Sequence, residues 1–159
     1  MKITSILPLF YFYVLASAIG PPSGLYFIVP EAFDRQGYVG RSRNEDQSLA
    51  PKQVLLLNDA PEPWSVERQP DGKYRLSQRG GNAGERGNHL FAFLTQEQST
   101  DRWIIESIRL DRDPIRGWVS PSPGEPDRQI RVQPLIVGPS DPPFFPSTEL
   151  FQLLPLYNE

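Results

Sequence analysis

Cysteine is absent from this chain of 159 residues, and histidine and methionine occur once each. Without cysteine there are no disulfide staples, so packing and hydrogen bonds must hold the fold. The single histidine, His89, stands beside Leu90 at the start of an apolar run, and no Gly-x-Ser-x-Gly elbow accompanies it. That excludes a recognisable Ser-His-Asp triad, and one histidine without cysteine makes no zinc site. No Asn-x-Ser/Thr acceptor occurs, since Asn44, Asn58, Asn82 and Asn88 are all followed two positions later by another residue type. Excess basic charge is lacking as well. The net charge of −3 provides no cationic stripe for a phosphate backbone, so nucleic acid is not an expected partner.

Long apolar runs are confined to the beginning. Lys2, the apolar stretch from about Ile6 to Leu15 and the small residues Ala16-Ser17-Ala18 have the form of a secretory signal peptide cut after Ala18. Pro8, Ser17 and Gly20 leave the run short of the ~20 apolar residues a spanning helix needs. We therefore expect residues 1–18 to be a signal peptide and residues 19–159 to form one extracellular domain with no stable membrane association. Loss of Lys2 would take the net charge to 15 − 19 = −4.

Helical periodicity is also missing, because 18 prolines and 12 glycines interrupt every apolar pattern before it completes three turns. What is present is a series of short apolar or alternating runs separated by turn residues, the pattern of an all-β sandwich or barrel. Strands are predicted near residues 25–29, 38–41, 53–57, 64–68, 73–78, 90–94, 103–107, 108–110, 117–119, 130–137 and 150–154, with a weaker one at 82–86. Val54, Phe91 and Val132 open comparable runs at a spacing near 40 residues, each followed by an aromatic residue, Trp64, Trp103 and Phe151. Gly37-Tyr38-Val39 is echoed by Gly117-Trp118-Val119. About twelve strands in three pseudo-repeats predict a β-trefoil, with Trp64, Trp103 and Phe151 as core anchors.

One stretch differs from this scaffold. Gly37 to Lys52, GYVGRSRNEDQSLAPK, reads as a short strand, a polar excursion too long for a tight turn, and a return through Pro51. Asn44, Asp46 and Ser48 can each fold a side-chain oxygen onto nearby backbone N–H groups, and Pro51 fixes φ at the exit. Leu49 is expected to pin the loop to the barrel cap. Such loops on rigid scaffolds are where binding resides.

Other segments read as structural. Arg79 to Gly87, RGGNAGERG, lacks Gly-Lys-Ser/Thr and a following helix, so it is a flexible turn and not a phosphate cradle. Asp111-Arg112-Asp113 has too few oxygen ligands for calcium. Gly138 to Pro146, GPSDPPFFP, is expected to pack Phe144 and Phe145 across the barrel base. No cofactor, metal or catalytic residue is expected.

Several stretches together resemble the fungal β-trefoil serine protease inhibitors of the cospin type. They are YVGR followed by ED-SL-PK (Tyr38 to Lys52), PW-VE (Pro63 to Glu67), DGKYRL (Asp71 to Leu76), HLFAFLT (His89 to Thr95), W-I-E (Trp103 to Glu106) and RVQPLIVG-S-PPFFP--ELF (Arg131 to Phe151). The resemblance implies reversible inhibition of trypsin-like serine proteases through the loop between the second and third strands. The contact residues would be Arg41, Arg43, Asn44, Glu45, Asp46, Gln47, Ser48, Leu49 and Lys52. A trypsin-like pocket ends in a carboxylate, so its occupant should be Arg or Lys. Arg43 is the first choice, because Arg41 ends a strand and Lys52 follows Pro51. Arg112 and Arg116 form a reserve basic loop. The family pattern commonly has a basic residue where this chain has Gln47. A serine protease is the implied partner of a secreted monomer that serves fungal defence. Two other functions fit a trefoil: sugar binding, for which the usual Gln-x-Trp signature is missing, and inhibition of a cysteine protease by a hairpin such as Gly80 to Gly87.

Overall fold

The computed structural model describes residues 20–33, 36–95, 101–105, 109–110, 115–141 and 143–156, so the expected signal peptide, Arg112 and Asp111-Arg112-Asp113 lie outside the described residues. Twelve strands are found among them: β1 Gly24–Pro30, β2 Tyr38–Arg41, β3 Lys52–Leu57, β4 Trp64–Arg68, β5 Tyr74–Gln78, β6 Gly81–Arg86, β7 His89–Phe93, β8 Trp103–Ile104, β9 Arg109–Leu110, β10 Arg116–Val119, β11 Arg131–Pro134 and β12 Phe151–Pro155. The only helical elements among the described residues are two 3-10 turns, Glu31–Phe33 and Ser147–Glu149.

The architecture is a β-trefoil. Strands β12, β1, β4, β5, β8 and β9 follow one another in a continuous antiparallel ladder, and the hairpins β2–β3, β6–β7 and β10–β11 lie over it. The three hairpins hold each other. Lys52 pairs with Ala92, Arg131 with His89, and Leu55 with Gln129. Backbone bonds from Leu56 N–H to Arg128 O, Leu90 N–H to Ile130 O and Ile130 N–H to Val54 O, at 2.8 to 3.0 Å, complete the triangle. Each hairpin thus satisfies edge groups its own partner strand leaves open.

Alternation explains which residues face inward. In β3, Lys52, Val54 and Leu56 are buried while Gln53 is exposed, as a period of two requires. The same rule puts Trp118 of β10 at the centre, completely buried with Trp64 and Trp103. Its ring lies 5.8 Å from Trp64 and 5.4 Å from Trp103. The expectation that Phe151 is the third anchor is therefore corrected. Phe151 is only partly buried, and it packs edge-on against Trp118 at 6.1 Å from outside the trio.

In the glycine-rich segment the weak strand expected at 82–86 is present, and the reading of the whole stretch as a flexible turn is corrected. It is strand β6, paired with β5 on one side and with β7 from Asn82↔Phe93 to Arg86↔His89 on the other. Arg79-Gly80 and Gly87-Asn88 all have positive φ, the geometry of two-residue hairpin turns whose twist matches the flanking strands. Pairing with β7 along 82–86 makes the segment part of the barrel cap, with β5 joining it only at Gly81 and Asn82. Phe144 departs from expectation in the other direction. It is 65% exposed beside Gly138 and does not cross the barrel base, whereas Phe145 is half-buried.

Candidate functional site

The loop 42–51 springs from β2 and β3, whose register runs from Tyr38↔Leu57 to Arg41↔Val54. The YVGR stem is built for close approach. Val39 is buried, and its carbonyl accepts the indole N–H of Trp64 at 2.7 Å. At Gly40 a Cβ would lie 2.7 Å from Pro61 Cγ and 3.0 Å from Gln78 Nε2, so no larger residue fits without displacement. Gln78, itself buried, accepts the Arg41 backbone N–H at 2.7 Å and donates to Glu62 O.

Arg41 is 4% exposed, and its guanidinium is fully engaged. Nε and Nη2 donate to the two carboxylate oxygens of Glu45 at 3.1 and 2.6 Å, and Nη1 donates to the carbonyls of Gln78 and Arg79 at 2.9 and 3.0 Å. The planar fork thereby ties the loop's first turn to the β5–β6 turn. Arg79 adds a donation from Nη1 to Ser42 O at 2.9 Å. At the other stem, Lys52 is 5% exposed and its Nζ donates to Asp46 Oδ1 at 2.5 Å and to Ser48 Oγ at 3.2 Å. The ammonium of Lys52, with the Ser48 hydroxyl and backbone N–H, holds the Asp46 carboxyl well below the usual carboxylate range.

Short side-chain turns stiffen what lies between. Ser42 Oγ accepts Asn44 N–H at 3.2 Å, Asp46 Oδ1 accepts Ser48 N–H at 2.8 Å, and Ser48 Oγ accepts Ala50 N–H at 3.3 Å. Ser42 thus supplies the turn that had been expected of Asn44. Leu49 does not pin the loop. It is 68% exposed, because the polar clamps already fasten the segment and leave no apolar contact for it to make.

The nine residues named from the sequence therefore divide. Arg41, Glu45 and Lys52 face inward as fasteners, with Asp46 bridging to Lys52 from an exposed position. Arg43, Asn44, Gln47, Ser48 and Leu49 face solvent. Arg43 is the exposed cation of the loop, with a single donation from Nη2 to Ala60 O at 3.1 Å. In the reserve loop, Arg116 is not presented outward. Its Nη2 donates to Glu85 Oε1, Asn88 Oδ1 and Val132 O, which binds it to two cap hairpins. Sequence reasoning did not single out Gln78 and Arg79, whose role depends on the approach of β5 to β2 across 37 positions.

A family model described as peptidase inhibitor I66 matches residues 21–155. The chain is 35% identical over 129 residues to a serine protease inhibitor of Lentinula edodes, covering 74% of this chain and 89% of that protein. Its structure is similar to that of a proteinase inhibitor from Coprinopsis cinerea, with a TM-score of 0.72 and 31% identity over 86% of this chain and 100% of the other.

Proposed function

The chain belongs to the peptidase inhibitor I66 family, a family of protease inhibitors and not of enzymes, and on that premise we propose that it reversibly inhibits trypsin-like serine proteases by offering the loop 42–51 to their cleft. The observation that carries this reading is the division of charge in the loop. Arg41 and Lys52 are consumed in fastening it, and Arg43 remains exposed as the side chain able to meet a carboxylate at the base of a specificity pocket. Fastening before binding supports affinity, since little ordering entropy is then lost on association. The absence of cysteine makes the Arg41–Glu45 and Lys52–Asp46 pairs the source of that stiffness. In this reading the protein is exported by way of residues 1–18 and acts as a monomer.

A second reading rests on Leu49. It is the most exposed large apolar side chain of the molecule's described residues, and it sits within the 46–50 segment that the Asp46 and Ser48 turns hold. A protease with an apolar pocket would take it in preference to Arg43. Residual activity of trypsin, chymotrypsin and papain should be measured with the mature protein and with Arg43→Ala and Leu49→Ala. Under the first reading trypsin is inhibited at stoichiometric protein and Arg43→Ala abolishes this. Full trypsin activity with inhibited chymotrypsin that depends on Leu49 selects the second.

A further inference from the structure

A cavity of about 500 Å³ lies at the end of the β2–β3 hairpin opposite the loop 42–51, lined by Phe33, Gln36, Gly37, Tyr38, Asn58 and Arg128. We propose that it binds a carboxylate-bearing saccharide, a uronic acid unit of a glycan.

The guanidinium of Arg128 is exposed but fixed. Nε donates to Leu56 O at 2.7 Å and Nη2 to Asn58 Oδ1 at 3.0 Å, while its backbone carbonyl accepts Leu56 N–H at 2.8 Å. One edge of the fork is thereby spent on positioning. The Nη1–Nη2 end stays open, with the spacing that pairs two N–H groups with one planar carboxylate. Among the described residues of the lining, Arg128 is the one that carries a positive charge.

The remaining lining suits sugar. Phe33 and Tyr38 are half-buried rings, and Tyr38 is held by an edge contact to Phe27 at 5.7 Å and 71°. Such rings offer apolar faces to the C–H face of a pyranose. Gln36 and Asn58 carry amides that both donate and accept, as hydroxyls demand, and the Gln36 amide has no hydrogen-bond partner among the described residues. Gly37 makes the floor. Its φ is +120° and an added Cβ would meet the buried Leu56 Cδ1 at 3.0 Å, so the backbone at this edge of the cavity is fixed in a conformation that suits glycine. The volume falls in the ordinary range for small-ligand sites and is enough for one or two sugar rings.

The test is an NMR titration of the ¹⁵N-labelled chain with trigalacturonate, its methyl ester and trialanine. Trigalacturonate should shift amides at Gln36 to Tyr38, Asn58 and Arg128, the ester should bind about tenfold more weakly, and Gln36→Ala should weaken binding about threefold. Arg128→Lys should lose the preference for acid over ester while keeping the dispersed spectrum of a folded protein. No shift by about 5 mM trigalacturonate, equal binding of the ester, or binding of trialanine in its place overturns the proposal. Arg43 and Leu49 line no part of the cavity, so a failure here leaves the protease reading standing, and inhibition assays on the same samples separate the two.

Discussion

Arg41 and Glu45 form a two-bond ion pair, 3.1 and 2.6 Å, with Arg41 4% and the Glu45 side chain 10% exposed. The pair spans the first turn of the loop, and the remaining Nη1 of Arg41 reaches the carbonyls of Gln78 and Arg79. A residue that looks in sequence like a bait for a protease is in the fold a fastener.

Removing one partner of a buried ion pair leaves an uncompensated charge, so Glu45→Ala should cost about 3–5 kcal/mol of stability. Urea unfolding measures this directly. Inhibition should weaken beyond the loss of folded protein, because the turn at Arg43 and Asn44 loses its tether. Unchanged inhibition by the folded fraction would show that the clamp does not serve the loop.

Gln47 is exposed, and it sits between Asp46 and Ser48, whose mutual hydrogen bond holds this part of the loop. Replacing it with arginine places a second cation where the clamps are tightest. Gln47→Arg should improve trypsin inhibition by about tenfold or more, read as the inhibition constant at fixed salt.

Asp46 and Glu149 should act in opposite directions on stability as pH changes. The folded-state pKa of Asp46 is depressed from 3.8 by Lys52, so its contribution is complete above that value and is lost as pH falls through the folded value. Asp46→Asn should therefore lower the urea midpoint at pH 7 and have progressively less effect in acid below pH about 4. Glu149 is 2% exposed and burial raises its pKa above 4.5, although Ile136 N–H donates to its carboxylate. Its contribution is complete below 4.5 and is lost as pH rises through the elevated folded value. Glu149→Gln keeps an acceptor for Ile136 and removes the buried charge. It should raise the midpoint at pH 7, and the gain should vanish toward pH 4.

Within the core trio, the indoles are not equivalent. Trp64 Nε1 donates to Val39 O at 2.7 Å, whereas Trp118 Nε1 is buried with no hydrogen-bond partner among the described residues. Both substitutions to phenylalanine remove similar ring area. Trp64→Phe also strands the Val39 carbonyl, so it should cost about 1–2 kcal/mol more than Trp118→Phe in urea unfolding.

Much of the scaffold was legible because its signals are local. Asp71-Gly72 marks a turn, Gly72 has a φ of +80°, and strands lie on either side at β4 and β5. Val54 to Leu57 is an unbroken apolar run, so the sequence marks a strand there, while the choice of Val54 and Leu56 as its inward residues comes from how β3 is placed against its neighbours. The faint β6 was hard to read because Gly81, Ala83 and Gly84 carry little apolar pattern, and its identity as a strand comes from pairing with β5 and β7. Gly81 shows why the residues are small there: an added Cβ would lie 3.0 Å from that of Ala92.

The sequence by itself determined the class of the fold, its three-part repetition, and the place of a long polar loop between β2 and β3. The fold class and the loop follow from turn chemistry and short apolar runs, which act between neighbours along the chain, and the repetition follows from the spacing near 40 residues of the runs at Val54, Phe91 and Val132. Which of that loop's charges face outward was decided only by tertiary structure. Arg41 finds Gln78 and Arg79 on a distant hairpin and turns inward, Lys52 lies beneath Asp46, and Arg43 is left in solvent. The physical reason is that a cation's exposure depends on which acceptors the fold brings within reach. For Arg41 those acceptors lie 37 and 38 positions away, beyond what local pattern can indicate.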